Sequence, residues 1–201
     1  MKKNFLFIAT TAVALIFAGC GETPPPPPET PEVVETTYTI DAANSSVEWG
    51  GAILGMKAHA GTIAITSGSV TVSNGMVTGG SVTVDMSTIM PTDDNFTEDQ
   101  PREMLIGHLK SADFFDVENN PTATFTFTGS EGDVVNGTMT IRGVTHPESI
   151  TGVTIMENEG QFSASGSAEI GREKYGVSFP GPAADILISD NIDLTFKIVA
   201  Q

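Results

Sequence analysis

The side chains here that could hold a metal or do acid–base work are three histidines, one cysteine and twenty-five carboxylates. A zinc site needs three or four such groups converging on tetrahedral geometry, usually signalled by closely spaced ligand pairs. His59, His108 and His146 show no such pairing, even with Asp113 or Asp116 added, and each falls in a different element. No metal site is expected. His108 reads as a group at a helix C-terminus, where a cation is favoured, and His146, before Pro147, as a solvated turn residue. Asp93, Asp94, Glu98 and Asp99 precede the helix without EF-hand spacing, and carboxylates near a helix start have their explanation in its dipole. No Gly-x-Ser-x-Gly elbow surrounds Gly166 or Gly171, and the glycines lack the spacing that cradles phosphate. No catalytic residue is assigned, and a lipid hydrolase or isomerase ranks last.

Cys20 has a different chemistry. It follows Lys2-Lys3, an apolar run from Phe5 to Ala18, and Gly19. A basic start, a short apolar core and small residues at the cut describe a secretory leader, and the run is short for a membrane span. A cysteine at that cut is the pattern of a lipobox, where it is acylated; Phe17 stands where leucine is usual. Residues 1–19 are read as a lipoprotein signal peptide, and 20–37 as the acylated cysteine and a Pro/Glu-rich linker. Five consecutive prolines, Pro24 to Pro28, favour an extended stalk there.

Loss of the leader removes two lysines and no acids, so the net charge of −16 becomes −18. So acidic a chain lacks the basic footprint that holds phosphates, and nucleic acid is not expected as a partner. Anionic headgroups would repel it too, so membrane attachment should rest on the acyl chains. The expected location is the cell envelope, lipid-anchored at the outer membrane, facing either the periplasm or the cell surface.

Residues 38–201 form one domain patterned as strands. Ala123, Phe125 and Phe127 alternate with Thr122, Thr124 and Thr126, the period of a half-buried strand. Similar runs occur at Val47/Trp49, Ile63/Ile65, Val70/Val72, Val82/Val84/Met86, Met139/Ile141, Phe162–Ile170 and Ile192–Ile198. Asn74-Gly75 is a strong hairpin signal. Met104, Leu105, His108 and Leu109 share one face of a short helical segment near 101–111, begun by Pro101. About eight strands and one helix make an all-β antiparallel barrel or sandwich, which periodicity alone does not separate.

Motifs separate them. HLKSADFFDVENNPTATF (His108 to Phe125), MTIRGVTHP (Met139 to Pro147), REKYGVSF (Arg172 to Phe179) and ISDNIDLTFKIVA (Ile188 to Ala200) resemble the YceI-like family of bacterial lipid-binding proteins. The resemblance implies a lipocalin-like, eight-stranded antiparallel β-barrel around a long apolar ligand, typically polyisoprenoid-like, with no cofactor. It also admits a homodimer. The family segment usually reads Asp-Arg-x-x-Tyr-Gly, and Gly171 stands here in place of the aspartate. Arg172 is left to pair with Glu169 or a ligand headgroup, and Arg142 is a second candidate for such a contact.

The expected ligand is a polyisoprenoid, a prenylated quinone or a fatty acyl derivative, held by burial of apolar area. Strand parity turns Trp49, Ile63, Ile65, Val82, Val84, Phe125, Phe127, Met139, Ile141, Phe162, Leu194 and Phe196 inward. Phe114 and Phe115 would close one end. The small residues on the inward parity of the Phe162 strand, Ala164, Gly166 and Ala168, leave room for a ligand unless larger neighbours fill that space. The alternative is a structural or interaction lipoprotein whose barrel is filled by its own side chains.

Overall fold

Alternation of apolar and polar residues along the chain becomes a closed sheet. The computed structural model describes residues 34–53, 58–180 and 187–201. The chain divides into Met1–Glu32 and Val33–Gln201. The first unit, with the leader, Cys20 and most of the linker, lies outside the described residues.

The strands are β1 (Thr36–Thr39), β2 (Ser46–Ile53), β3 (Ala58–Ser73), β4 (Met76–Pro91), β5 (Thr122–Glu131), β6 (Val134–Ile141), β7 (Val144–Asn158), β8 (Gln161–Gly171) and β9 (Ile188–Ala200). Helix α1 (Arg102–Lys110) joins β4 to β5, and a single 3-10 turn (Glu173–Tyr175) follows β8. Neighbours run β3-β2-β9-β8-β7-β6-β5-β4, and β4 returns to β3, which closes an eight-stranded antiparallel barrel. Strand β1 sits outside the ring on β3. It begins at Thr36, inside the stretch read as linker.

The eight strands of the barrel are not the eight runs read from the sequence. The Ile63/Ile65 and Val70/Val72 runs are both β3, whose pairing with β4 shifts register between Thr62 and Ala64, between Ile65 and Ser67, and between Thr71 and Val72. Bulges of this kind bend a strand and break its alternation, so one strand reads as two. Strand β7 went unread, because Ile150 is its only fully buried residue and Gly152, at φ 62°, interrupts the period. Asn74-Gly75 forms its hairpin with both residues at positive φ (52° and 75°).

His146 is corrected by β7. It lies within the strand, opposite Met139, not in a turn. The turn is Arg142-Gly143, both at positive φ. Pro147 is accommodated because Val144–Ile150 has no partner on β8, whose pairing with β7 begins only at Thr151. The 3-10 turn covers that seam. His146 Nε2 lies 3.0 Å from the Lys174 carbonyl, and the fully buried Tyr175 donates its hydroxyl to Glu148 at 2.6 Å. Lys174 Nζ reaches the same carboxylate at 2.5 Å. Burial in the first place, and the Glu148 carboxylate in the second, push the Tyr175 hydroxyl far above its usual pKa.

One end of the barrel is solid. Tyr38 stacks on Phe162 with ring centroids 5.6 Å apart, and both are buried. Phe162 lies opposite Ala200, Tyr38 opposite Val70, and Ile40 bridges to Ala200. These side chains fill the space between the strands.

Candidate functional site

Toward the α1 end the same inward parity surrounds open space, a cavity of about 490 Å³. Its wall is almost wholly hydrocarbon. Trp49 of β2, Ile63 of β3, Val82 and Val84 of β4, Phe125 and Phe127 of β5, Met139 and Ile141 of β6, and Leu194 and Phe196 of β9 all line it. Two glycines make room for aromatic rings in this wall. A side chain at Gly61 would meet the Met90 carbonyl oxygen at 2.2 Å and the Trp49 ring at 2.7 Å, and one at Gly137 would meet Phe125 at 2.4 Å.

Helix α1 lies along the cavity. Its residues Met104, Leu105, His108 and Leu109 all line it, as the shared face required. Pro101 is the N-cap, extended at φ −71° and ψ 159°, rather than the first helical residue. Phe114 and Phe115 follow the helix, buried and edge-to-face at 5.0 Å, with Phe114 also against the His108 ring. The backbone returns on itself there: Phe115 N–H donates to the Leu109 carbonyl at 3.1 Å. Met104, 59% exposed, and the exposed Gln100 both line the cavity, so it reaches the surface beside the helix.

Three expected ligand contacts lie off the wall. Ile65 is buried in the core between two of the β3 register shifts. Phe162 belongs to the solid end. Arg142, half-buried in its hairpin turn, donates to the carbonyls of Gly176 (2.5 Å) and Ala112 (2.7 Å). It ties the 3-10 turn to the segment after α1.

Arg172 does line the cavity, but its guanidinium is committed to the chain. It is 2% exposed and donates to the carbonyls of Ser189 (3.0 Å), Val177 (2.5 Å) and Ile188 (3.2 Å). Its nearest carboxylate is Glu173, at 3.6 Å, not Glu169. The glycine before it has a structural counterpart in Asp190, whose carboxylate would lie 2.8 Å from a side chain at Gly171 and accepts the Glu173 N–H at 2.8 Å. Asp190 fills the place that an aspartate at position 171 would need.

Of the two readings of the small residues of β8, the one in which larger neighbours fill the space holds at Gly166. Space beside Gly166 is taken by Ile150 and Val153 of β7, whose methyl groups would lie 2.8 and 3.0 Å from an added side chain. Wall residues absent from the expected set include Ile150, Phe96, Phe179 and Ile188. Ile150 went with the unread strand; Phe96 and Phe179 sit in irregular segments, where no period marks a direction. The histidines stay apart, each with separate partners, and among the described residues no three His, Cys, Asp or Glu side chains gather where a metal could sit.

The model of the YceI-like domain matches residues 38–200, which take in all eight barrel strands. The chain belongs to the YceI-like family. A UPF0312 protein of Staphylococcus epidermidis is 37% identical over 101 residues, which cover 46% of this chain and 56% of that protein. The chain thus spans little more than half the length of this curated relative. Among solved structures, Burkholderia cenocepacia BcnA superposes with a TM-score of 0.63 at 21% identity, over 81% of this chain and 99% of that one. A polyisoprenoid-binding domain from Saccharophagus degradans, implicated in plant cell wall breakdown, gives 0.60 at 13% identity, over 82% and 97%. At such identities these two establish the shared YceI-like barrel and nothing finer.

Proposed function

We propose that the chain binds and sequesters a long apolar molecule inside its barrel, without making or breaking bonds. The observation that carries this reading is the cavity. Its space of about 490 Å³ is walled almost wholly by hydrocarbon and opens to the surface beside α1. A void of that size is not a packing fault. Its volume lies within the roughly 300–1,000 Å³ of small-molecule sites. The filled-barrel alternative describes the Phe162 end alone.

The hydrocarbon wall suits a polyisoprenoid, a prenylated quinone or a fatty acyl chain, each stabilised at about 25 cal/mol per Å² of apolar area removed from water. Family membership and the polyisoprenoid-binding description of the Saccharophagus degradans domain support that class of ligand. Trp49, Ile63, Val82, Phe125, Leu194 and Phe196 are the contacts we assign first; Phe114 and Phe115 close the helix side. Arg172 positions the backbone rather than a headgroup.

The reading extends to the cell envelope. Acylation of Cys20 would hold the barrel at a membrane from which an apolar cargo can be loaded, and a pair of barrels is compatible with that arrangement. Organic extraction of the purified full chain, followed by mass spectrometry, tests the cargo. One long-chain lipid at near-stoichiometric yield is expected. Protein that yields none, and takes up no long-chain probe, would defeat the proposal. Intact mass of the mature N-terminus tests the anchor, since an unmodified Cys20 removes it.

A further inference from the structure

The segment between β4 and α1, Thr92 to Pro101, has no regular structure, yet it forms part of the cavity boundary. Phe96, Gln100 and Pro101 line the cavity, as does His59 at the start of β3. The segment's first residues are tied to one short piece of strand, Ala58–Ala60. Thr92 N–H donates to the Ala60 carbonyl at 2.8 Å, and Asn95 Nδ2 to the Ala58 carbonyl at 2.8 Å.

Asp93 is the centre of these ties. Its carboxylate accepts the Ala60 N–H at 3.1 Å and lies 3.2 Å from His59 Nδ1 through both oxygens. It also accepts the Asn95 N–H at 2.9 Å, while Arg102 donates to its backbone carbonyl at 2.7 Å. The His59 and Asp93 side chains are only 12% and 14% exposed. Phe96 stacks on the His59 ring, with centroids 5.0 Å apart, and the Arg102 guanidinium covers Phe96 at 4.9 Å. One carboxylate thus fixes the imidazole, the imidazole seats the ring, and the ring closes part of the cavity.

We infer that residues 92–101 form a latched flap over the cavity mouth, with the His59–Asp93 pair as the latch that sets how fast cargo enters and leaves. The inference rests on the carrier reading. Most of the wall belongs to the strands and α1 and stays in place whether the flap is open or shut, so the latch acts on rate. It contributes little to equilibrium affinity, because entry and exit use the same opening.

Energy transfer from Trp49, the chain's single tryptophan and a cavity residue, to cis-parinaric acid makes the test direct. Release of the probe into phosphatidylcholine vesicles is followed by stopped flow with the full chain. Loss of hydrogen bonds to a charged group should speed both release and uptake about tenfold in Asp93→Ala, with the dissociation constant changed by less than about threefold. Rates within twofold of the wild type in a folded Asp93→Ala protein would overturn the latch. So would an affinity loss with unchanged uptake.

A second arm does not depend on that variant folding. Ala58→Cys with Asn95→Cys, in a Cys20→Ser background, places two thiols where a hydrogen bond now joins flap to strand. The oxidised protein should exchange probe at least about tenfold more slowly than after reduction with dithiothreitol. Formation of the disulfide with equally fast exchange would sink the flap. Absence of energy transfer in the wild type is a different failure, since it removes the carrier reading itself and the flap's role with it.

Discussion

The barrel has two halves built from the same alternation. At one end Tyr38, Ile40, Val70, Phe162 and Ala200 are buried in the core and none borders the cavity; at the other Trp49, Phe125, Leu194 and Phe196 line it. Strand parity is identical in both. The difference lies in the neighbours: at the solid end β1, paired on β3 outside the ring, stacks Tyr38 on Phe162, while at the open end α1 lies along the cavity. Parity decides which way a residue points, and its neighbours decide whether it meets an atom or a void.

Removing a large side chain should cost most where the barrel is solid. Phe162→Ala opens a new void among residues that cannot collapse and should lower unfolding stability by about 3–5 kcal/mol. Leu194→Ala enlarges a space that already exists, so its cost should sit near the lower end for such changes, about 2 kcal/mol, while probe binding weakens. Urea unfolding and cis-parinaric acid titration of both variants measure the contrast. Equal stability losses with equal binding would erase the distinction between the halves.

Adding bulk sharpens the contrast from the other side. Ala200, 1% exposed, lies opposite Phe162, and Ala200→Leu should force neighbours out of their rotamers at about 1–3 kcal/mol. Ala123 lines the cavity beside Phe125 on β5, so Ala123→Leu should leave the melting temperature nearly unchanged and reduce uptake of long-chain probe. A destabilised Ala123→Leu protein would mean that the cavity wall is as tightly packed as the solid end.

The barrel was largely legible in the sequence, because Phe125 and Leu194 sit in runs of period 2, Thr122 to Phe127 and Ile192 to Ile198. The wall of the cavity was legible for the same reason. Ile65 misled because register shifts on either side change what an inward residue meets, and Phe162 because parity carries no information about depth along the axis. Strand β7 was hidden by Pro147, acceptable only because a neighbouring strand is missing there, a long-range fact. Its two turns, Arg142-Gly143 and Glu159-Gly160, take the same positive φ values as Asn74-Gly75 without the asparagine that advertises them. The carbonyl partners of Arg142 and Arg172 were not legible, because a backbone acceptor leaves no trace in side-chain sequence.

Charge is distributed unevenly as well, and pH probes it. At the seam, Tyr175 holds its proton more tightly in the folded chain than in the unfolded one, whose value lies near 10.0. Folding stability from this group is complete below pH 10 and falls as pH rises above it, by about 1.4 kcal/mol per unit while only the unfolded state ionises. Tyr175→Phe should flatten that alkaline limb when unfolding is followed by circular dichroism from pH 9 to 11.5. An unchanged slope would show that the Glu148 contact does not hold the seam.

The smallest effect belongs to the mouth. Partial burial pulls the Asp93 carboxyl up, but N–H donors from Asn95 and Ala60, with His59, pull it further down, so its folded pKa lies below the usual 3.8. A depressed carboxylate contributes stability above its unfolded pKa and loses it as pH falls through the folded one. Between pH 5 and 3 the urea midpoint of the wild type should therefore fall more steeply than that of Asp93→Asn, while at pH 7 the two differ only modestly, because the amide still accepts backbone hydrogen bonds. Release of bound probe should quicken over the same acid range in the wild type alone. If Asp93→Asn tracks the wild type through that window in both measurements, the carboxylate is a bystander, and the open half is closed by apolar contact with Phe96 instead.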